Sequence, residues 1–110
     1  MKSLINLLTA AGLLITSMAY AQSPVQTVRG QILDEQSSAP LIGANVIVVG
    51  SEPFIGSSTD LDGNFRLDNV PVGRQTIRVT YLGYESREIP NVLINSGKQM
   101  VLDIKLRESI

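Results

Sequence analysis

The residues best placed to do chemistry in this 110-residue chain lie in one segment, Thr59-Asp60-Leu61-Asp62-Gly63-Asn64. Oxygen-bearing side chains stand at alternate positions, Asp60, Asp62 and Asn64, and calcium takes six to eight oxygen ligands. The spacing only begins like an EF-hand loop, because glycine stands at the fourth position and Pro71 occupies the twelfth, where that loop needs a glutamate. A hairpin turn explains the same residues, with positive φ at Asp62-Gly63 and a side-chain cap from Asp60. We favour the turn and expect any calcium affinity to be weak.

The composition removes most other chemistry. The chain has no histidine, cysteine or tryptophan, so zinc sites, haem ligation, thiol catalysis, Ser-His-Asp triads and disulfides all lack their essential groups. Carboxylate-only hydrolysis and lysine Schiff-base chemistry remain formally open, but the acidic residues are scattered and lysines are few. Nine basic and ten acidic residues give no reason to expect nucleic acid. We predict no catalytic residues and no cofactor.

Residues 1–21 are predicted to be a cleavable signal peptide. Lys2 supplies a positive start, an apolar stretch runs from Leu4 to Met18, and Ala19-Tyr20-Ala21 has the small-x-small pattern of a cleavage site. An anchored N-terminal helix is the alternative, although the stretch is shorter than the ~20 apolar residues that span a membrane. Without cysteine there is no lipobox. We therefore expect an exported chain that begins at Gln22, with 22–26 as a short lead.

The rest of the chain alternates apolar and polar residues with the period of a β-strand. In Arg74–Leu82, the apolar side chains at 77, 79 and 81 alternate with polar ones. The last segment does so more clearly, with one apolar face: Met100, Leu102, Ile104 and Leu106. A strict period of two favours strand over helix there.

Shorter segments of the same kind come earlier: Val28–Leu33, Ala44–Val49 and Asn64–Asp68. Clusters of glycine, proline and asparagine separate the segments. About seven short strands at roughly ten-residue spacing are typical of an all-β sandwich.

A specific family resemblance rests on five motifs that occur in order: Val28-Arg29-Gly30-Gln31-Ile32-Leu33-Asp34, Ala39-Pro40-Leu41-Ile42-Gly43-Ala44-Asn45-Val46, Ser58-Thr59-Asp60-Leu61-Asp62-Gly63-Asn64-Phe65, Val70-Pro71-Val72-Gly73 and Tyr81-Leu82-Gly83-Tyr84. Together they resemble the carboxypeptidase-regulatory-like domain. The resemblance implies a seven-stranded antiparallel Greek-key β-sandwich of transthyretin-like topology over 27–107, with 108–110 as a tail.

These motifs have structural reasons of their own. Gly30 is expected on the inward face of its strand, where a missing side chain permits a bulge or close packing by a neighbour. Pro71 and Gly73 are expected to form a rigid turn. Tyr84 can bury its ring while its hydroxyl reaches a polar edge.

Two surface features have two interpretations each. Four arginines could form an outward basic patch: Arg66, Arg74, Arg78 and Arg87. Acidic residues are interleaved with them, namely Asp68, Glu85 and Glu88. We therefore favour a mixed, solvated sheet face over a basic patch. The pair Phe54-Ile55 is either an exposed apolar tip that contacts a partner or a loop folded over the end of the sandwich.

The resemblance also implies a role. Domains of this kind follow the signal peptide of Bacteroidetes outer-membrane transporters energised by TonB, ahead of a plug and a barrel. We therefore predict a non-catalytic accessory module of the periplasm or of the periplasmic face of the outer membrane, with a protein partner. It would be the N-terminal extension of such a nutrient transporter or a stand-alone relative. Neither plug nor barrel follows Leu106-Arg107-Glu108, so we expect that this chain alone does not transport and meets the membrane only through a downstream barrel. A sheet edge can add a partner strand through main-chain hydrogen bonds, and the C-terminal strand Gln99–Leu106 is a candidate because it leads toward whatever follows; the sequence does not indicate which edge is open.

Two other classes stay open. A free-standing secreted or periplasmic binding protein would hold a protein or a glycan. A glycan site is disfavoured, because it needs exposed aromatic rings, and three of the four candidates suit the core better: Phe54, Phe65, Tyr81 and Tyr84. An enzyme is not expected, since transthyretin-like hydrolases use histidines that this chain lacks.

Overall fold

A computed structural model describes residues 24–110, in which seven strands and no helix occur. The strands are β1 (Val25–Asp34), β2 (Asn45–Val48), β3 (Gly56–Ser58), β4 (Asn64–Pro71), β5 (Gly73–Thr80), β6 (Arg87–Ile94) and β7 (Met100–Leu106). Residues 24–110 thus include no helix long and apolar enough to cross a membrane. The predicted signal peptide, 1–21, and the start of the lead lie outside the described residues.

The strands form two sheets that pack as a sandwich, which confirms the predicted fold class. One sheet has the order β4-β1-β7 and the other the order β3-β2-β5-β6. One pairing departs from the antiparallel prediction, because β1 and β7 run parallel. No hairpin joins these two strands. The chain reaches β7 by crossing over from β6 in the other sheet, and a crossover leaves the direction of the incoming strand free.

The core lies between the sheets and is made of the inward residues of both. The alternation predicted for β5 and β7 is confirmed, because Ile77, Val79, Ile104 and Leu106 are buried and their sequence neighbours are more exposed. The largest fully buried side chains are Ile32, Leu67, Ile77, Ile94, Leu106, Val28, Val46, Val48, Val70 and Val79. Burial of this apolar surface is the main driving force for a domain without disulfides.

Two strands have no clear signal in the sequence. β3 is only three residues long, and β6 breaks its own alternation at Pro90-Asn91. Asn91 has a φ of 58°, and the β5–β6 register shifts beside it. A β-bulge of this kind places one extra residue in the strand and reverses which residues face inward. Asn69, also at φ 58°, marks the corresponding bulge in β4.

Gly30 permits the close approach of β7 to β1. A Cβ atom at this position would lie 1.6 Å from the carbonyl oxygen of Leu102. Gly30 alternates with the buried Val28 and Ile32, as the predicted inward position requires. The neighbour that packs closely against it is main chain of β7 in the same sheet, and only glycine leaves room for that main chain.

Candidate functional site

The Asp60 turn is held by its own hydrogen bonds. Asp60 Oδ1 accepts from the backbone N–H groups of Asp62 (3.0 Å) and Asn64 (2.9 Å). Gly63 has a φ of 75°, and a Cβ there would lie 2.7 Å from the carbonyl oxygen of Ile32. One oxygen of the first candidate calcium ligand is therefore engaged in capping the turn.

The other two candidate calcium ligands, Asp62 and Asn64, are exposed. Within residues 24–110, no group of three or more acidic side chains is arranged to hold a metal ion. Weak calcium affinity at these three residues stays a prediction.

Thr59, beside this turn, is buried and fixes the entry to β2. Its hydroxyl donates to the carbonyl of Leu41 (2.5 Å) and accepts from the N–H of Ala44 (2.8 Å). Both main-chain groups belong to the segment between β1 and β2, which has few strand partners of its own. The Thr59 hydroxyl therefore holds that segment against the start of β2.

A buried carboxylate and a tyrosine form the most perturbed pair of titratable groups in the described chain. The Tyr84 hydroxyl donates to Asp34 Oδ2 at 2.6 Å, while Asp34 Oδ1 accepts from the backbone N–H groups of Gln36 (2.8 Å) and Ser37 (2.9 Å). The bond from Tyr84, helped by these N–H groups, lowers the pKa of Asp34 to about 2. The same bond raises the pKa of Tyr84 to about 12. Neither group exchanges a proton near neutral pH, so the pair is suited to holding structure and not to acid–base catalysis.

This pair lies where the C-terminal residues join both sheets. Arg107 forms an ion pair with Glu35 (3.0 Å), and its carbonyl accepts from the N–H of Glu85 (2.9 Å). The main chains of Tyr84 and Glu108 also form an isolated antiparallel β-bridge. The Tyr84 hydroxyl therefore reaches a polar group, as predicted. The sequence did not identify Asp34 as its partner, because Asp34 lies 50 positions away and its sequence context indicates a turn.

The outer edge of β7, predicted as a candidate for strand addition, is partly covered. The Leu106 carbonyl accepts from the N–H of Glu35 (2.9 Å) and so faces β1. The main-chain groups of Lys105, the residue before it, therefore point outward, away from β1. On that outer side the Arg87 guanidinium donates to the Lys105 carbonyl at 2.9 Å. Only the N-terminal half of this edge is open to a partner.

The edge of β4 is open at its centre. The N–H of Ile32 donates to the carbonyl of Gly63 at 2.8 Å, so the carbonyl of Gly63 faces β1. Residues of an antiparallel strand face the paired strand alternately, so the main-chain groups at positions 65 and 67 also face β1. The main-chain groups of Arg66 and Asp68 then point away from β1. Beyond this edge lies a groove of about 550 Å³, bounded on its far side by β3 and the loop before it.

The loop before β3 has one exposed residue and one packed residue, so each of the two predicted interpretations holds for one residue of the pair Phe54-Ile55. Phe54 is 73% exposed at the lip of this groove, with its ring over Gly56. Ile55 packs against the core. The tip is thus apolar and exposed, and its neighbour anchors it.

The four arginines do not form one basic patch. Arg66 lies on β4, in the other sheet from Arg74 and Arg78, and pairs with Asp68 at 2.8 Å. Arg78 pairs with Glu88 across β5 and β6. Acidic side chains pair with Arg66 and Arg78, as predicted for a mixed, solvated surface, but the two pairs lie on different sheets and not on one face.

Of the aromatic rings considered for stacking on a glycan, three lie in or against the core. Phe65 is buried, and Tyr81 and Tyr84 pack edge to face at 5.3 Å. Phe54 is the exposed ring among these four.

Comparison with known proteins gives one family. The model of the carboxypeptidase regulatory-like domain matches residues 27–107. The TonB-dependent receptor SusC of Bacteroides thetaiotaomicron is 34% identical over 103 residues, which cover 89% of this chain and 10% of that receptor. The TonB-dependent transporter Oar of Myxococcus xanthus is 38% identical over 77 residues, covering 66% of this chain and 7% of that transporter. The chain spans a tenth or less of the length of these relatives.

Solved structures share the fold. One chain of a type II cohesin-X-dockerin complex from Acetivibrio cellulolyticus superposes with a TM-score of 0.61 at 29% identity, over 72% of this chain and 52% of that one. A 3-chlorocatechol 1,2-dioxygenase from Rhodococcus opacus superposes with a TM-score of 0.59 at 12% identity, over 83% of this chain and 62% of that one. At such low identity the likeness to the dioxygenase concerns the sandwich alone.

Proposed function

Because this chain belongs to the carboxypeptidase regulatory-like domain family, we propose that it is a non-catalytic, periplasmic protein-interaction module of a TonB-dependent outer-membrane uptake system. The observation that carries the proposal is the 34% identity to a TonB-dependent receptor over 89% of the chain. A second TonB-dependent relative from Myxococcus xanthus supports it. The module would be the N-terminal extension of a nutrient transporter or a stand-alone relative of that extension.

The non-catalytic part of the proposal rests on chemistry. Histidine and cysteine are missing from the sequence; histidine is the most frequent general base, and it is the usual partner that activates a serine or cysteine nucleophile. The two groups with strongly shifted pKa values, Asp34 and Tyr84, are hydrogen-bonded to each other. Throughout the neutral range Asp34 keeps its negative charge and Tyr84 keeps its proton. A sandwich with partly open edges suits binding to another protein, since an edge strand can add a partner strand through main-chain hydrogen bonds.

The test is an immunoblot of fractionated producer cells with an antiserum raised against residues 22–110. A large band that leaves the outer membrane only with detergent would support the proposal in its transporter form. A small soluble periplasmic band would support the stand-alone form. A band confined to the cytoplasm or the growth medium would contradict the periplasmic assignment.

Binding and catalysis are tested on the same purified domain. We expect no turnover of peptide substrates with added zinc, and activity that a chelator removes would overturn the non-catalytic assignment. We also expect no retention on insoluble polysaccharides, because Phe54 is one ring and glycan platforms use several. Retention there would favour the alternative, a free-standing glycan-binding protein.

A further inference from the structure

The open part of the β4 edge carries opposite charges two residues apart. The side chains of Arg66 and Asp68 lie on the outer face of the sheet, 61% and 58% exposed, and pair with each other at 2.8 Å. Their main-chain N–H and C=O groups point away from β1, and β4 is the last strand of its sheet. Two residues with free hydrogen-bonding groups and opposite charges thus stand at a sheet edge.

The sequence Arg66-Leu67-Asp68 is complementary to itself in an antiparallel pair. If a second β4 lies antiparallel to the first with Leu67 opposite Leu67, each Arg66 faces an Asp68 of the other copy. Residues directly opposite in neighbouring strands have Cβ atoms ~5 Å apart, and opposite charges there stabilise the pair. All four main-chain groups of the two residues would find partners in the same register.

Features on either side of this window restrict the register. Asn64 is already engaged, because its N–H donates to Asp60 Oδ1 and its carbonyl accepts from Asp60 N–H. Asn69, with its φ of 58°, bends the strand immediately after Asp68. A partner strand can therefore pair only with the centre of β4, and the register centred on Leu67 is the one that satisfies both charges.

We propose that two copies of this domain associate through β4 about a two-fold axis perpendicular to the sheet. The two three-stranded sheets then form one six-stranded sheet with β4 of each copy at its centre. The same axis places both β3 edges on one side, so the two grooves of about 550 Å³ face each other. The exposed Phe54 of each copy lies at the lip of its groove and is partly removed from water in the dimer.

The dimer is weak because few contacts hold it together. Four main-chain hydrogen bonds and a small apolar contact make an interface at the low end of the size range, so we expect weak association that is observable only at high protein concentration. This inference is independent of the transporter assignment, because it depends only on β4 and the loop before β3.

Charge reversal tests the interface. We expect sedimentation equilibrium of residues 22–110, from ~10 µM to ~1 mM, to show a monomer–dimer equilibrium. Arg66→Asp and Asp68→Arg should each abolish dimerisation, because like charges then face each other across the axis. An equimolar mixture of these two variants should form a heterodimer, since every acidic residue then meets a basic one. The double variant R66D/D68R restores complementarity and should dimerise like the original chain.

A matched control separates this interface from general charge effects. Arg78→Asp makes the same change on the other sheet, where Arg78 pairs with Glu88, and should leave dimerisation unchanged. Circular dichroism of every variant establishes that it is folded. A chain that remains monomeric at ~1 mM would overturn the proposal. So would dimers of the two single variants, or failure of their mixture to associate. Binding of β4 to a strand of a different protein by a chain that stays monomeric would also overturn it.

Discussion

Gly30 offers the sharpest test of the packing, because its φ is not positive and yet alanine there should destabilise the fold. Gly→Ala normally stabilises by about 0.4–1 kcal/mol when the backbone tolerates it, since the unfolded chain loses freedom. At Gly30 the new Cβ would lie 1.6 Å from the Leu102 carbonyl oxygen, whereas ordinary contact begins at 3.4 Å. Strand β7 must therefore move by about 1.8 Å, the difference between these two distances.

A shift of that size breaks the ladder between β1 and β7 locally. It stretches N–H···O distances of ~2.9 Å beyond hydrogen-bond range. Two or three lost bonds at ~1 kcal/mol each, together with loosened packing around Ile104, make the expected destabilisation about 3 kcal/mol or more. For a domain of this size that lowers Tm by roughly 12–24 °C.

Urea unfolding followed by far-ultraviolet circular dichroism measures the effect at constant pH. Gly97→Ala is the matched control, because no atom lies within 4 Å of a Cβ at that position. It should be as stable as the original chain or more stable by up to about 1 kcal/mol, because the unfolded chain loses freedom there without any steric cost in the fold. If Gly30→Ala is as stable as the original chain, the close approach of β7 to β1 is wrong.

Three further predictions follow from the turn, the buried hydroxyl and the perturbed pair. Thr59→Val should cost about 2 kcal/mol or more in urea unfolding, because it leaves a buried donor and a buried acceptor without partners, whereas Thr59→Ser should cost less; equal losses would contradict the hydroxyl's role. The Asp34 pKa is lowered from 3.8 to about 2 and the Tyr84 pKa is raised from 10.0 to about 12. The stability that they contribute is therefore complete between pH 4 and 10, and it is lost as the pH falls toward 2 or rises toward 12. The difference in unfolding free energy between the original chain and Tyr84→Phe should shrink at both extremes, and a difference independent of pH would refute this linkage. Calcium titration calorimetry should show no saturable tight binding, and tight binding abolished by Asp62→Ala would assign a site to the turn.

Much of the fold could be predicted from the sequence because the signals are local. The alternation in β5 and β7 reflects the two faces of a strand, which any pleated segment over one core must have. The same locality explains why the Asp60 turn was predictable, since its glycine and its capping carboxylate lie within a few residues of each other.

The β6 strand shows where local signals fail. Its bulge at Asn91 shifts the inward face by one residue halfway along, so no single period describes the strand. β3 is too short for any period to be recognised, and its pairing with β2 supplies the hydrogen bonds that make it a strand.

The sequence by itself determined that this is a small all-β domain without metal-binding histidines or cysteines, because composition and period-two alternation are properties of neighbouring residues. Only the tertiary structure decided which distant groups meet. It places Tyr84 on Asp34, it covers half of the β7 edge with Arg87, and it leaves the Arg66–Asp68 edge of β4 open. The physical reason is that a hydrogen bond or an open edge depends on which strands become neighbours, and that choice is made by burying the whole core at once.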